Sequence, residues 1–406
     1  MTQTFDVCVI GAGISGASFA YRCAQDGASV VVLEKEARPG GCIKSHRHND
    51  GLVTELGTRT LTNSYRTMIE LLEDAGASDL IEPLETSKFK LAVGDDHKSI
   101  LSQLSFLSAA LSLPKMFGAD KTGKSLKEHY GHVFGTRNYD RLFRHAFAAV
   151  LSQPADKYPA ELLFRKRERD KSRPKQFTLE GGNLTLVETL LGQANIELAL
   201  SVAVSAISKK GEGFEITSDG HETINARNIA IAVPSIVATQ LTQSIAPDLS
   251  PLLGELRSGR IHTVHAALRR DRGAENVSSN LIGVDKPYYS VIHTPGETRD
   301  IYCFHFNGDA KPSDEDIPII MASALKCDPD ELEMISTGQS VLPQLSVDQL
   351  DTVAAIKTFL ETSDIYLPCN YLEGLSVEDC CLQSKREYER WAKRRLSSAH
   401  SAMTGL

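Results

Sequence analysis

Gly11, Gly13 and Gly16, spaced as G-x-G-x-x-G, and the carboxylate of Glu34 are the residues whose types and spacing first suggest chemistry. At this spacing Gly11 permits a tight turn, Gly13 lets backbone approach a pyrophosphate, and Gly16 lets a helix pack closely on a strand. Ala12, Ile14 and Ser15 lie between them at the helix start, where free N–H groups and the helix dipole favour an anion. An acid about 20 residues further on accepts from a ribose hydroxyl. That role falls to Glu34, followed by Lys35, and predicts an adenosine ribose without a 2′-phosphate.

The elements that must position these residues are legible around them. Residues 5–10 form an apolar run that predicts a buried parallel strand, residues 11–16 the turn into a helix, and residues 29–33 the returning strand. Strand, helix, strand and terminal acid follow in the order of a dinucleotide-binding βαβ unit. A second glycine pair, Gly40-Gly41, follows directly, with Gly57 closing the stretch 51–57. A nicotinamide dehydrogenase has no evident use for that second pair. The pattern resembles the flavin amine oxidase superfamily, in which it continues the FAD site, so noncovalent FAD is the expected cofactor.

Composition sets the outer limits. A chain of 406 residues exceeds one ordinary core and predicts two intertwined domains. A net charge of −8 argues against nucleic acid as a partner, since phosphate binding needs a basic surface. The basic run 165–173 is the exception, and is expected to be a solvated loop or helix face rather than a phosphate or acidic-lipid patch. Eight scattered cysteines without C-x-x-C predict free thiols in a reducing cytoplasm. The chain enters its first strand at once, leaving no room for a signal peptide, and no apolar run reaches the ~18 residues of a membrane span. A cytoplasmic protein is expected, with peripheral membrane contact and a homodimer left open.

Along the chain, residues 63–76 predict a helix with Asn63 or Ser64 as cap and Gly76 at its end. Residues 87–94 read as a strand. Residues 100–118 read as a helical cavity wall or an interfacial segment, the wall being favoured. From 125 to 151 the pattern is helical, with Tyr139, Leu142, Phe143, Ala146, Phe147 and Val150 on one packed side. Residues 177–190 repeat strand, double glycine and helix, with Asn183 as cap. Strands are expected within 196–207, in a hairpin from 213, at 229–234, and in a second set near 261–268, 288–293 and 300–306; residues 312–350 read as polar helix or loop. A strand, a turn and a helix to about Arg395 close the chain.

More specifically, residues 40–46, 55–61, 179–186 and 370–380 resemble protoporphyrinogen oxidase, matched in order along nearly the whole chain. The resemblance implies an α/β fold. A discontinuous Rossmann-like FAD-binding domain (1–80, 180–250 and 355–406) would carry an inserted α+β substrate-binding domain (81–179 and 251–354). It also implies that residues 11–16 and Glu34 hold the ADP half, with Gly40, Gly41 and Cys42 along the pyrophosphate and flavin. Gly57 and Thr58 lie near the flavin, Val204 meets the adenine, and the terminal motif with Asn370 and Val377 covers the flavin. The family oxidises protoporphyrinogen IX by successive two-electron steps, passing electrons to oxygen or another acceptor.

Arg59 follows in the flavin-proximal motif and is assigned to a substrate carboxylate or a structural ion pair. Where the family offers an arginine to a propionate, this chain has Lys88 or Lys90. Before the terminal Asn370 it carries Pro368-Cys369, placing a thiol where the cofactor should run. Tyr289 and His305, on expected cavity strands, are the candidates for proton acceptor or substrate contact. The remaining histidines have no metal spacing, and no metal is expected. The expected activity is hydride removal from a carbon next to nitrogen. An amine or amino-acid oxidase of specialised metabolism, or a non-catalytic flavin-binding protein, are the alternatives.

Overall fold

Thr4–Ile10 (β1) and Val30–Leu33 (β2) are buried along nearly their whole length, which a strand covered on both faces requires of its sequence. In this computed structural model, which describes residues 4–85, 87–105, 119–270 and 277–404, both strands belong to one sheet. Its order is Ile196–Ala199, β2, β1, Ile224–Ile231, Gly213–Ser218, Val204–Lys210. Ile365–Tyr366 adds in parallel to Ile224–Ile231. Segments from three distant parts of the chain therefore meet in a single sheet.

Helices Ile14–Gln25 (α1), Arg66–Asp74 (α2), Leu184–Leu191 (α3) and Val377–Thr404 (α4) share one core with one side of this sheet, including Phe19, Met68, Leu190 and Trp391. The opposite core takes Tyr139, Phe147, Leu241, Leu249 and Ile356. Fully burying each such large side chain contributes roughly 1.5–3 kcal/mol.

A second sheet is mainly antiparallel and is built on Ser258–Arg269 (β3), Tyr288–Thr294 (β4), Arg299–Asn307 (β5) and Leu332–Pro343 (β6). Asn280–Val284, Phe89–Val93 and Asp96–Ser99 extend it beyond β4. The pleat divides its residues. Val264, Phe304 and Phe306 face a core closed by helix Asp316–Leu325, whereas His265, Cys303 and His305 alternate to the other face.

Several expectations are corrected. Residues 332–343 form a twelve-residue strand rather than polar helix or loop; as an edge strand β6 is only partly buried, so its sequence lacks the apolar alternation that marks one. Val150 is 58% exposed and does not share the packed side of its helix. Neither Asn63 nor Ser64 caps α2: the N–H groups of Thr67 and Met68 both donate to the Glu378 carboxylate at 3.0 Å. Asn183 precedes α3 without capping it. The last helix continues past Arg395 to Thr404. Of the stretch 100–118, Ile100–Gln103 is a 3₁₀ turn, while 106–118 lie outside the described residues. Among the described residues no helix is long and apolar enough to cross a membrane.

Candidate functional site

The glycine turn between β1 and α1 is built by two different demands. At Gly11 and Gly16 an added Cβ would lie 2.5 and 2.0 Å from backbone oxygens, so the protein itself requires glycine. Gly13 has an ordinary φ of −72°, and a Cβ there would meet only Gly41 Cα at 3.9 Å and Gly40 O at 4.0 Å. Its bareness leaves a cradle open toward the cleft. The first helical bond runs from Ala17 N–H to Gly13 O at 2.9 Å, and α1 has neither a side-chain cap nor an acid in its first turn. The N–H groups of Ile14, Ser15 and Gly16 thus lack helical partners, as an anion site needs.

The second glycine pair lies directly against the first. Gly40 N–H donates to Ala12 O at 2.9 Å, and Gly13 and Gly40 form an isolated parallel bridge. Glu34 is buried at the end of β2. Its Oε2 accepts from Ala12 N–H at 2.8 Å and its Oε1 from Glu36 N–H at 3.0 Å, leaving further lone pairs for ribose hydroxyls. Val202 N–H bonds Glu34 O at 2.8 Å, which brings the segment leading to half-buried Val204 alongside this acid. Lys35 keeps its ammonium at the surface, 3.6 Å from Glu36.

Beyond Gly41 the chain is tied to the rest of the molecule by a buried polar knot. Ser45 Oγ donates to both Glu55 oxygens at 2.8 and 3.0 Å, Asn183 N–H donates to Glu55 Oε1 at 2.8 Å, and Leu184 N–H donates to Ser45 Oγ at 3.0 Å. Asn183 Nδ2 donates to the carbonyls of Thr58 and Arg59 at 2.8 and 3.0 Å. A hydrogen-bonded carboxylate ordinarily ionises readily, but burial outweighs this and lifts Glu55 to about 7. Sequence reasoning missed Glu55, Ser45 and this role of Asn183; an acid two residues before Gly57 was the available signal.

The same stretch touches the second sheet. Lys44 Nζ donates to Gln339 O at 2.5 Å, and Cys42 Sγ lies 3.8 Å from Val341 O, both on β6. Arg59 is half-buried, and among the described residues its guanidinium has no ion pair or hydrogen bond, although Glu55 attracts it. Facing this stretch from β3 and β5, His265 Nε2 lies 3.3 Å from Glu55 O, and the Cys303 thiol donates to the same oxygen at 3.4 Å. His305 sits 3.7 Å from Cys303 Sγ through Nε2 and 3.1 Å from Ser290 Oγ through Nδ1. Burial lowers His265 to about 3 and His305 to about 4, so both imidazoles are neutral. Tyr289, pushed up to about 12 by burial, lines a recess with Gln153, Arg260 and Leu342. Lys88 is exposed, next to Ser87, whose Oγ lies 3.5 Å from His293 Nδ1.

In the C-terminal turn Cys369 is buried, and its thiol donates to Ile231 O at 3.0 Å at the end of a strand of the first sheet. Asn370 opens a 3₁₀ turn, Val377 is buried at the start of α4, and Ser384 Oγ donates to Ser15 O at 2.7 Å. The basic run is a loop with Lys166, Arg169 and Lys171 exposed as expected, but Arg165 and Arg167 within it meet Glu373 and Asp379. Among the described residues no cluster could hold a metal ion. These residues fit FAD: an open glycine cradle at a helix start, an acid placed for ribose, and a second glycine pair leading on to the other sheet.

The comparisons with known proteins agree. The NAD(P)-binding Rossmann-like domain matches residues 9–75. Protoporphyrinogen oxidase 2 of Arabidopsis thaliana is 39% identical over 70 residues, 17% of this chain and only 14% of that protein's own length. A flavin-dependent L-tryptophan oxidase of Lentzea aerocolonigenes is 22% identical over 285 residues, 58% of this chain and 59% of that protein. A crystal structure assigned as a protoporphyrinogen oxidase from Exiguobacterium sp. 255-15 superposes with a TM-score of 0.75, covering 96% of this chain and 99% of the other at 16% identity. The chain thus carries an NAD(P)-binding Rossmann-like domain, is similar in sequence to protoporphyrinogen oxidase over a short stretch, and shares the overall fold of the Exiguobacterium structure.

Proposed function

We propose that the chain is an FAD-dependent oxidoreductase that removes hydride from a carbon next to nitrogen, on a porphyrinogen or another reduced nitrogen heterocycle. The observation that carries this is the open cradle at Gly13 meeting the second glycine pair, whose continuation through Cys42 and Lys44 bonds β6 of the second sheet. Bound FAD supplies the hydride acceptor, and oxygen or another acceptor takes the electrons onward. Residues 1–80, 180–250 and 355–406 serve as the cofactor domain and the remainder as the substrate domain, in a cytoplasmic protein with a small-molecule substrate.

In this proposal the chain's own residues orient and exclude water. Residues 11–16, Glu34, Lys35 and Val204 hold the ADP half. Residues 40–42, Gly57, Thr58, Asn370 and Val377 line the flavin half. Arg59, whose guanidinium has no ion pair or hydrogen bond among the described residues, binds a substrate carboxylate, and Lys88 is a second, more exposed cation. His305, kept neutral by burial and oriented by Ser290, is better placed than Tyr289 to accept a proton, since it shares the Glu55 neighbourhood with Arg59.

The free guanidinium of Arg59 also favours a second reading, an amino-acid oxidase whose substrate carboxylate it would clamp. Anaerobic addition of porphyrinogens, amino acids and amines, one at a time, to the yellow protein separates these readings. Bleaching of the flavin absorbance by a porphyrinogen supports the first and by an amino acid the second. No bleaching by any of them leaves a flavin-binding protein without catalysis.

A further inference from the structure

Arg165 and Arg167 are the strongest ionic feature that the proposed function leaves unused. Arg165 Nη1 lies 2.8 Å from Glu373 Oε1 and 3.1 Å from Asp379 Oδ1, and Arg167 Nη2 bonds the same Asp379 oxygen. The arginine side chains are 25% and 21% exposed, and the Glu373 and Asp379 side chains 7% and 4%. Lys357, at 3.4 Å, and Arg386 complete the surroundings of Glu373. Phe164, immediately before Arg165, stands at φ +52°, a left-handed conformation that a bulky residue rarely adopts and that persists where the surroundings over-determine it.

Asp379 also closes the first turn of α4. Its Oδ2 accepts from Ser376 N–H at 3.2 Å and Oγ–H at 2.5 Å, while Ser376 Oγ accepts from Asp379 N–H at 3.1 Å. The turn meets the start of α2 through Glu378, and about two turns further along α4 Ser384 Oγ donates to Ser15 O at the start of α1. Ser15 belongs to the glycine turn itself.

We infer that Arg165 and Arg167 are positioning residues for the cofactor: through Asp379 and Glu373 they hold the first turn of α4, and with it the start of α1, against the pyrophosphate. The inference rests on the FAD proposal for that cleft. Removing the two cations leaves buried carboxylates under-compensated, and the available relief is displacement of the turn toward water. Each arginine reaches its partners through a single nitrogen rather than a two-pronged fork, so lysine can replace it here as a point charge.

The test is FAD titration into the deflavinated full-length chain. Arg165→Ala/Arg167→Ala is expected to bind FAD on the order of tenfold more weakly or worse, as breaking a buried pair implies. Its far-UV circular dichroism should match wild type, and Arg165→Lys/Arg167→Lys should recover most of the affinity. An alanine variant whose affinity stays within about twofold of wild type, a change too small for a lost buried pair, overturns the inference, as does failure of the lysine pair to recover it. Should the alanine variant not accumulate, Asp379→Asn takes its place and must weaken FAD binding; unchanged affinity there overturns the inference as well. A wild-type chain that binds no FAD would instead defeat the parent proposal before any variant is made.

Discussion

The backbone N–H of Asn183 donates to Glu55 Oε1 at 2.8 Å, joining the start of α3 to the stretch 55–59 across 128 residues. Burial raises Glu55 from its ordinary 4.5 to about 7. Between those values the folded chain retains a proton that the unfolded chain has released. The contribution of Glu55 to stability is therefore fully present below pH 4.5, falls as pH rises to about 7, and is flat above. Each tenfold change in proton affinity is worth about 1.4 kcal/mol, so the loss across this range amounts to a few kcal/mol. Glu55→Gln should flatten this part of the urea-stability profile and be relatively more stable at pH 8; an unchanged slope between pH 5 and 7 would refute the assignment.

Asn183→Ala removes the side-chain bonds to the carbonyls of Thr58 and Arg59 and the one that Thr178 Oγ1 donates at 3.1 Å. Three lost hydrogen bonds, with partners left unsatisfied, should destabilise the protein by about 1–3 kcal/mol. FAD affinity should fall with it, because the released stretch carries Gly57 and Thr58. Chemical denaturation and cofactor titration of the same variant check both effects, and loss of neither would show that this tie is not structural.

The first βαβ unit was legible because its strands are buried on both faces and its glycines answer to backbone contacts. The antiparallel strands β3, β4 and β5 were legible from apolar runs. β6 was not: as an edge strand it carries Ser336, Gly338, Gln339 and Ser340 at positions that a buried strand would fill with apolar side chains. Caps are misread for a related reason. Asn63 and Asn183 are typical capping residues, yet one donates to the carbonyls of Asp170 and Arg173 and the other to those of Thr58 and Arg59. The partners lie more than 100 residues away, and local pattern carries no information on that distance. Arg165 and Arg167 were hidden likewise, since the acids that bury them lie more than 200 residues downstream.

Thiol reactivity tests the burial of the cysteines. All eight are free, and only Cys42 and Cys327 are more than slightly accessible. Burial raises both of these thiols, Cys327 to about 11, so neither is an active nucleophile at neutral pH. A disulfide-exchange reagent should label at most these two slowly in the native protein and all eight after denaturation. Rapid native labelling of Cys369 would contradict its placement against Ile231.

Glu34→Gln replaces one of two acceptor oxygens by a donor, opposite the N–H of either Ala12 or Glu36. One buried N–H then loses its acceptor, at about 1–3 kcal/mol. FAD affinity should drop measurably yet be restored at high cofactor concentration, since the pyrophosphate cradle is intact. Equilibrium titration followed by flavin fluorescence measures this, and an affinity equal to wild type would remove Glu34 from the site.

Gly13→Val is the decisive substitution, because the protein leaves room for a Cβ there and only a bound dinucleotide would be displaced. The variant is purified, its absorbance read at the flavin bands, and its melting curve recorded with and without added FAD. The wild-type chain should be yellow and gain thermal stability with FAD, by about 2.7 kcal/mol at a hundredfold excess over the dissociation constant. The variant should fold, emerge colourless, and show a melting temperature that added FAD does not raise. A Gly13→Val protein that stays yellow and keeps its FAD-dependent melting temperature would refute FAD binding at this turn, since an isopropyl group and a pyrophosphate cannot share the cradle.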